Sequence, residues 1–442
     1  MRSVLICALL VSIVYSQTCK TSGGLGNNLY CNSWMINTAH TSSYFSNAKT
    51  DCQDVTEVTL NNVNYIQATC TGIPQYDVVI TQDDVNFLNS RPKASTDFTN
   101  GHTSAYAGET VSFGQSIGYA NTHCTLGYWP PGPSCPTASN KAGKFRMNPV
   151  QNTGSPCYTT LGSIGYWVNG VSIYNWWDGT SYNNANVWHT MAMDAEFYDL
   201  DICTGHAANG DYHHHGFPNC LAKLLNDDGS KKSPIYGFAA DGVPVMGPWT
   251  SAGVLAKSCW QERDYDSIYS NSGCGADYKR TCLLVDNLDI SKGTVAASHA
   301  GPDTNSQVLT QSGNVLNATS GFYFEDYYYN STCTTQGNDY LDQYNGRYDS
   351  DYGYVYHVTI EDPYAEVVTT VFPHFIGPFF YGTLDSNTIC PCSTTMFQGG
   401  GGGVGAGCCP DGSQPSSGNP PCKTGPPSPI YCPTGSANDH HH

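Results

Sequence analysis

Short runs of alternating apolar and polar residues recur along the first part of the chain. Residues 57–60 and 76–81 alternate with a period of two, which is typical of β-strands that bury one face. Residues 164–177 contain two apolar runs on either side of Asn169-Gly170. This pair favours a tight hairpin turn, because Asn and Gly tolerate positive φ. The pattern therefore predicts a β-hairpin over residues 164–177.

The same pattern returns further along the chain, with little helix between. Asp241-Gly242 separates apolar runs at residues 234–239 and 243–246, so we expect a tight turn between two strands. Helical patterns are few: one helix is expected near residues 188–198 and a short one over residues 220–226. The chain is therefore predicted to be mainly β, with a sandwich-like domain.

The two ends of the chain differ from the middle. Residues 1–16 contain Arg2, a short apolar run and a final small residue, which is the pattern of a secretory signal peptide and too short for a membrane span. Residues 386–442 are rich in Cys, Gly and Pro and hold too few apolar residues to build a core. We therefore expect a signal peptide at 1–16, a β domain at 17–385 and a tail at 386–442. No later segment predicts a membrane span.

Charge narrows the range of partners. Charged residues make up 12% of the chain, and 36 acidic residues outnumber 18 basic ones, for a formal net charge of −18. Such a chain repels nucleic-acid phosphates, so no nucleic-acid partner is expected. Most of the acids are Asp, which ligates hard cations and also favours turns. The charge suits a matrix, a polysaccharide or a mineral surface, although it also simply keeps a protein in solution.

Cysteine usage agrees with export. The chain has 20 cysteines, and loss of the signal peptide removes Cys7. The other 19 predict a disulfide framework formed in an oxidising compartment. They divide into 13 between Cys19 and Cys333 and six between Cys390 and Cys432, so the tail can close on itself. The odd count predicts an unpaired, metal-bound or intermolecular cysteine.

Two acceptor sequons add weak support for secretion. They place predicted N-glycans at Asn317 and Asn330.

The middle of the chain contains an internal duplication near residues 200–249 and 341–382. Each copy has Leu-Asp-x-x-x-Gly followed by His or Arg, then Tyr-x-x-His, then an apolar strand between Pro and Gly. Three matched elements in one order favour duplication over chance. The elements lie at residues 200–206, 212–215 and 233–239 in the first copy and at 341–347, 354–357 and 372–377 in the second.

The first copy resembles the YHYH-domain proteins, a family of mostly uncharacterised secreted or surface proteins. The resemblance rests on Asp-x-Cys-x-Gly-His from residue 201, Gly-Asp-Tyr-His-His-His from residue 210 and Ser-Pro-Ile-Tyr-Gly-Phe-Ala-Ala-Asp-Gly-Val-Pro from residue 233. Weaker matches extend it over roughly residues 31–382. The naming tetrapeptide differs here, because His214 stands where the family has its second Tyr. The resemblance implies an extracellular setting and no particular mechanism.

The histidines of the first copy suggest a metal site. On a strand, His213 and His215 point to one face, and Tyr212 and His214 to the other. Two imidazoles at this spacing can begin a zinc or copper site, and His206 is the nearest third ligand. Histidines on a β surface also serve as structural hydrogen-bonding groups or as acid/base catalysts, so these readings stay open. His214 is expected at the surface.

Further groups are candidates for ligands or for partners that orient the ligand imidazoles. Asp201, Asp211 and Asp241 supply carboxylates, and His357 is the histidine of the second copy. Because Arg347 replaces His206 in that copy, we expect the second copy to have lost any metal and Arg347 to form an ion pair.

Three functions fit these features. The first is a non-enzymatic, disulfide-bonded protein of an extracellular matrix or mineralised structure with a histidine metal site. The second is a secreted metal-dependent enzyme, hydrolytic or oxidative, with Asp241 as a base. The third is a carbohydrate-binding module that uses tryptophans as a stacking platform. No phosphate loop, zinc-protease helix motif, serine elbow or EF-hand loop is present, so we assign no catalytic residue. The candidate tryptophans are Trp176, Trp177, Trp188 and Trp249.

Overall fold

The computed structural model describes residues 20–397, with gaps at 22–23, 26–28, 36–38, 50–51, 121–133, 139–140, 311–312 and 366–367. The predicted signal peptide and most of the predicted tail lie outside the described residues. Strands greatly outnumber helices among those described, so the prediction of a mainly β protein is confirmed. None of the described helices has the length and apolar character needed to span a bilayer.

The largest sheet has eight strands, labelled here in chain order. They are β1 (Gly165–Trp167), β2 (Ser172–Ile173), β3 (His206–Ala208), β4 (Asp211–His214), β5 (Ile235–Ala239), β6 (Pro244–Met246), β7 (Gly346–Asp349) and β8 (Gly353–His357). Their order across the sheet is β3-β4-β2-β1-β5-β6-β8-β7.

Smaller elements surround this central sheet. A five-stranded sheet contains Lys20–Thr21, Gly24–Leu25, Cys52–Leu60, Val63–Cys70 and Lys141–Arg146, and a four-stranded sheet contains Ala39–His40, Phe45–Lys49, Gln75–Val79 and Thr110–Ser112. Two-stranded sheets pair Trp177–Ser181 with His189–Met191, Trp249–Ser251 with Val254–Leu255, Trp260–Glu262 with Tyr327–Tyr329, Cys282–Leu284 with Thr294–Ala296, and Gln307–Leu309 with Val315–Asn317. The α-helices are Leu29–Asn32, Gln82–Ser90, Ala94–Asp97, Ala192–Ala195 and Asn219–Leu224; the 3₁₀-helices are Tyr182–Asn184, Phe197–Asp199, Ile290–Lys292, Phe324–Asp326 and Cys333–Gln336.

The central sheet is symmetric about the pair formed by β1 and β5. On one side β2 runs antiparallel to β1 and parallel to β4, which pairs with β3. On the other side β6 runs antiparallel to β5 and parallel to β8, which pairs with β7. Each half therefore contributes two hairpins in the same arrangement, and the internal duplication is a pseudo-two-fold relation within one sheet.

The inner hairpins of the two halves also share a sequence pattern, which lies outside the repeat motifs described from the sequence. Gly-Tyr-Trp-Val-Asn-Gly-Val begins at Gly165, and Gly-Phe-Ala-Ala-Asp-Gly-Val begins at Gly237. Both turns have a glycine at φ +84°, Gly170 and Gly242. The predicted hairpin turns are therefore confirmed. The third element proposed for the repeat is wrong, because residues 372–377 form no strand and residues 233–239 belong to the inner hairpin of the second half.

The five-stranded sheet packs against the central sheet, which gives the domain its sandwich-like core. Phe145 lies on the strand Lys141–Arg146, and its ring contacts Tyr166 of β1 and Phe238 of β5 at centroid distances of 5.5 and 6.1 Å. Trp34 stacks on Phe238 at 5.4 Å. All four rings are buried. The contact thus lies over the symmetry axis, where the two halves of the central sheet meet.

Disulfides within the described residues all join parts of this one chain. They are Cys52–Cys70, Cys157–Cys392, Cys203–Cys220, Cys259–Cys333 and Cys274–Cys282. The expectation that the tail cysteines close on themselves is wrong for Cys392, which is bonded to Cys157 of the core. Residues 386–397 therefore pack with the domain, and Ile389 is buried. The prediction of one unpaired or intermolecular cysteine stays a prediction.

The helix predictions are confirmed in part. Helix Asn219–Leu224 matches the short helix expected at residues 220–226. The longer helix expected at residues 188–198 is wrong, because this segment is divided into strand His189–Met191, the single turn Ala192–Ala195 and a 3₁₀ turn. Trp188 has φ +61°, which no helix accommodates.

Substitution of Gly242 by Ala is expected to destabilise the fold strongly. The residue has positive φ, and a Cβ there would overlap the backbone of Arg146 on the five-stranded sheet. Positive φ alone costs about 1–2 kcal/mol for an alanine, so the overlap should raise the loss in unfolding free energy above about 3 kcal/mol. Gly253→Ala is the control, since Gly253 also has positive φ and has no atom within 4 Å of the added Cβ. Equal losses in denaturant unfolding would contradict the proposed close approach of the two sheets.

Candidate metal centre

A tight hairpin brings His206 opposite His213. The two residues are direct partners in the antiparallel pairing of β3 with β4. The chain reverses at Asn209-Gly210, where both residues have positive φ, as a two-residue turn requires. The fold therefore places His206 directly beside His213.

The three predicted ligands form one buried cluster. Their ligand nitrogens all lie within 4.8 Å of one another. The Nε2 atoms of His213 and His215 are 3.1 Å apart. Ligands at about 2.0–2.1 Å from a tetrahedral metal lie about 3.3 Å from each other, so this separation fits a shared ion. The side chains of His206, His213 and His215 are at most 5% exposed.

Glu196 supplies a fourth donor that sequence reasoning missed. Its Oε2 lies 3.1 Å from Nε2 of His206 and 3.1 Å from Nε2 of His215. The residue follows the single helical turn Ala192–Ala195 and is itself buried. It lies ten residues before His206 without a motif spacing that links the two, so only the fold reveals the contact. Three imidazoles thus form the cluster, and one carboxylate contacts two of them.

Backbone carbonyls fix the orientation of two of the imidazoles. Nδ1 of His213 lies 2.8 Å from the carbonyl oxygen of Asp211, and Nδ1 of His215 lies 2.5 Å from that of Asn175. Since a carbonyl only accepts, each Nδ1 carries the proton and donates it. In the neutral rings Nε2 then carries a lone pair, and the two lone pairs face each other and the Glu196 carboxylate. Such a set of acceptors could hold a cation between them.

A proton is a poor substitute for a metal at this position. Burial holds the pKa of His213 well below its ordinary value of 6.5, and the neighbouring His206 and His215 lower this pKa further. A transition metal accepts several lone pairs at once, whereas a proton joins only two. The chemistry of these donors therefore fits zinc or copper, the metals predicted from the sequence.

Tyr174 covers one face of the cluster. Its ring stacks on His213 with centroids 3.7 Å apart and contacts the edge of His215. The Tyr174 hydroxyl donates to Oδ2 of Asp211 at 3.1 Å. Burial, followed by the charge of Asp211, raises the pKa of Tyr174 well above 10. The residue therefore remains a neutral phenol that holds the His213 ring in place.

Asp201 and Asp211 support the cluster without joining it. Asp201 accepts hydrogen bonds from the Tyr212 hydroxyl and from the backbone of Cys203 and Gly205, at 2.7–3.1 Å. Burial raises its pKa to about 7. Asp211 contacts the cluster through its backbone carbonyl, and its carboxylate faces away, towards Lys141.

Asp241 and His357 belong to the other half of the sheet. Five strand spacings separate β4 from β8, about 24 Å. The carboxylate of Asp241 accepts hydrogen bonds from the Tyr356 hydroxyl and two backbone amides, so it holds the turn and does not serve the histidines. The structure thus separates Asp241 and His357 from the cluster of three histidines.

The second half keeps the backbone arrangement of the site but has only one of its three histidines. His357 matches His215 by register, and its Nδ1 lies 2.8 Å from the Gly247 carbonyl, as that of His215 does from Asn175. Arg347 stands opposite Val355, where the first half pairs His206 with His213. The Arg347 guanidinium donates to Nε2 of His357 at 3.1 Å and lies 3.4 Å from Asp349. The predicted ion pair of Arg347 is present.

His214 is not a surface residue, as was expected, but is 4% exposed. Its Nε2 lies 3.2 Å from the Cys203 carbonyl, next to the disulfide that joins Cys203 to the following helix. Burial lowers its pKa to about 3, so it is neutral. The expectation failed because both faces of β4 are covered.

The tryptophans proposed as a carbohydrate platform are core residues. Trp176, Trp177, Trp188 and Trp249 are each at most 6% exposed. Buried rings cannot stack on a polymer from solution, so this use of them is excluded. Of the two sequon asparagines, Asn317 is exposed and Asn330 is partly buried.

Comparison with known proteins gives one match. A family model described as "YHYH protein" matches residues 143–370, just over half of the chain. The matched region contains all eight strands of the central sheet and every donor of the cluster. No curated protein and no solved structure matches.

The buried histidines predict a loss of stability in acid. Burial lowers the pKa of His357 to about 3, below its unfolded value of about 6.5. The unfolded chain therefore binds a proton below pH about 6.5 and the folded chain does not, so stability falls as the pH falls. His357 should contribute about 1.4 kcal/mol per pH unit to this slope.

Denaturant unfolding of wild type and His357→Gln between pH 7 and pH 4 measures this contribution. The unfolding free energy of the variant should depend less steeply on pH, by the contribution of about one bound proton. His299→Gln, at an exposed position, is the control and should leave the slope unchanged. Identical slopes for all three proteins would contradict the neutral state of His357.

Proposed function

For this chain, which belongs to the YHYH protein family, we propose a secreted, disulfide-bonded extracellular protein in which His206, His213 and His215 hold a transition metal. The observation that carries the proposal is the convergence of three imidazoles and the Glu196 carboxylate on one buried point. Two of these imidazoles have their Nδ1 protons committed to carbonyls, so their Nε2 lone pairs are directed inward.

We propose that the metal is structural and that the protein is not an enzyme. Structural zinc sites use four protein ligands, whereas catalytic sites keep one position for water or substrate. Here Glu196 completes a set of four donors, and all four side chains are buried. The metal would link β3 and β4 to the segment that follows helix Ala192–Ala195.

The extracellular setting rests on a different set of features. Five disulfides within the described residues favour an oxidising compartment, and residues 1–16 have the pattern of an export signal. The net charge of −18 is suited to a matrix or mineral surface that holds cations. We therefore propose a matrix or biomineral-associated role.

Elemental analysis of the purified protein tests the metal site. We expect one zinc or copper ion per chain, and we expect its loss in His213→Ala and Glu196→Gln. His357→Gln is the matched control, because His357 occupies the position of His215 in the half without the cluster. A control that loses the metal, or a His213→Ala protein that keeps it, would contradict the proposed ligands.

Stability measurements distinguish a structural ion from a loosely held one. Added Zn²⁺ at about 100 times its Kd should stabilise the metal-free protein by about 2.7 kcal/mol. Glu196→Gln should reduce this gain, since the fourth donor is weakened. A metal that binds with a freely exchanging water ligand, seen in the visible spectrum of the Co²⁺-substituted protein as five-coordination, would instead favour a metal-dependent enzyme.

A further inference from the structure

A buried polar network lies on the far side of Tyr174 from the histidine cluster. Its centre is the carboxylate of Asp211, and the Nζ atom of Lys141 is in direct contact with it. Both side chains are 0% exposed. Lys141 begins the strand Lys141–Arg146 of the five-stranded sheet, and Asp211 begins β4 of the central sheet. The contact therefore joins the two sheets.

Hydroxyl groups enclose the carboxylate on its other sides. Oδ2 of Asp211 accepts from Ser172 at 3.0 Å, from Tyr174 at 3.1 Å and from Ser163 at 3.4 Å. The hydroxyls of Ser163 and Ser172 are 2.7 Å apart, and Ser172 also contacts Lys141 Nζ. All these residues are buried.

An amine and a carboxyl group held in contact away from water are arranged for condensation. Water hydrolyses an amide and solvates both charged groups, and both effects are weak in a site of this kind. A buried ion pair also carries a desolvation penalty that an uncharged product would not. Because the fold already holds the two groups in contact, the reaction does not have to lose the entropy of bringing them together.

We propose that Lys141 and Asp211 are joined by an intramolecular amide bond between Nζ and Cγ. The lysine nitrogen attacks Cγ of Asp211, a new N–C bond forms, and one Cγ–O bond breaks. The ammonium group gives up two protons, which leave with the released carboxylate oxygen as one molecule of water. The Ser172 and Tyr174 hydroxyls lie where they can stabilise the tetrahedral oxygens and relay these protons. No oxidant or cofactor is required.

Such a bond has a clear consequence for the fold. It closes a loop between residues 141 and 211 and ties the five-stranded sheet to the strand that carries His213. The backbone carbonyl of Asp211, which orients His213, is not altered by the reaction. The cross-link and the metal site are therefore independent, and either can exist without the other.

Mass spectrometry of the full-length secreted protein tests the proposal. After reduction of the disulfides and proteolysis, we expect a branched peptide that contains Lys141 and Asp211 and is one water molecule lighter than its two parts. The internal control is Lys232, which pairs with Asp349 at 2.9 Å but is 28% exposed. The peptides of Lys232 and Asp349 should be recovered separately, without loss of water.

Labelling of amines in the unfolded protein provides a second measurement. An amine reagent in denaturant should modify Lys232 fully and leave Lys141 unmodified, because an amide nitrogen does not react. Lys141→Arg cannot form the bond, so it should yield the Asp211 peptide at its full mass. Recovery of separate wild-type peptides at full mass, with Lys141 labelled as completely as Lys232, would overturn the proposal whether or not the variant folds.

Discussion

A hydrogen-bonded carboxylate, buried in the first half and partly buried in the second, sets the geometry at the base of each outer hairpin. Asp201 accepts hydrogen bonds from two backbone amides of the turn that leads into β3 and from the hydroxyl of Tyr212 on β4. Asp342 does the same in the second half, with the hydroxyl of Tyr354 at 2.8 Å. A hydrogen-bonded buried carboxylate tolerates little displacement, because each unmade bond leaves a costly polar group in the core. The register of the histidine-bearing strand follows from this contact.

This interaction explains which part of the repeat could be predicted from the sequence. The motif Leu-Asp-x-x-x-Gly, followed by Tyr, contains the carboxylate, its turn and its phenol partner. The motif is therefore recognisable in the sequence of both copies. The inner hairpins are just as alike in structure, but their match rests on small and apolar residues and was not recognised. Glu196 was missed for another reason. Its contact with His206 depends on where the fold places the end of a short helix relative to β3. No periodic sequence pattern predicts that placement.

The two halves differ in the side chains around their histidines and share the contacts that hold the outer hairpins in place. In the first half, His206 and His213 face each other across the hairpin, and in the second half Arg347 and Val355 do so. Arg347 donates to His357, so a guanidinium supplies the positive charge in the second half. The second half thus places a cation beside His357, at the position that corresponds to His215 in the first half. The shared frame thus carries a cluster of imidazoles in one half and a guanidinium in the other.

The environment of His213 shows how one strand serves several constraints. Alternate residues of β4 point to opposite faces, yet both faces are buried, so His214 is as enclosed as its neighbours, and burial lowers its pKa to about 3. On the cluster side, Tyr174 separates the imidazoles from the Asp211 carboxylate and contacts both. The Asp211 carboxylate therefore lies behind the phenol and not against the imidazoles. The phenol therefore allows a closed site for a cation and a buried lysine–aspartate contact to coexist within one layer of side chains.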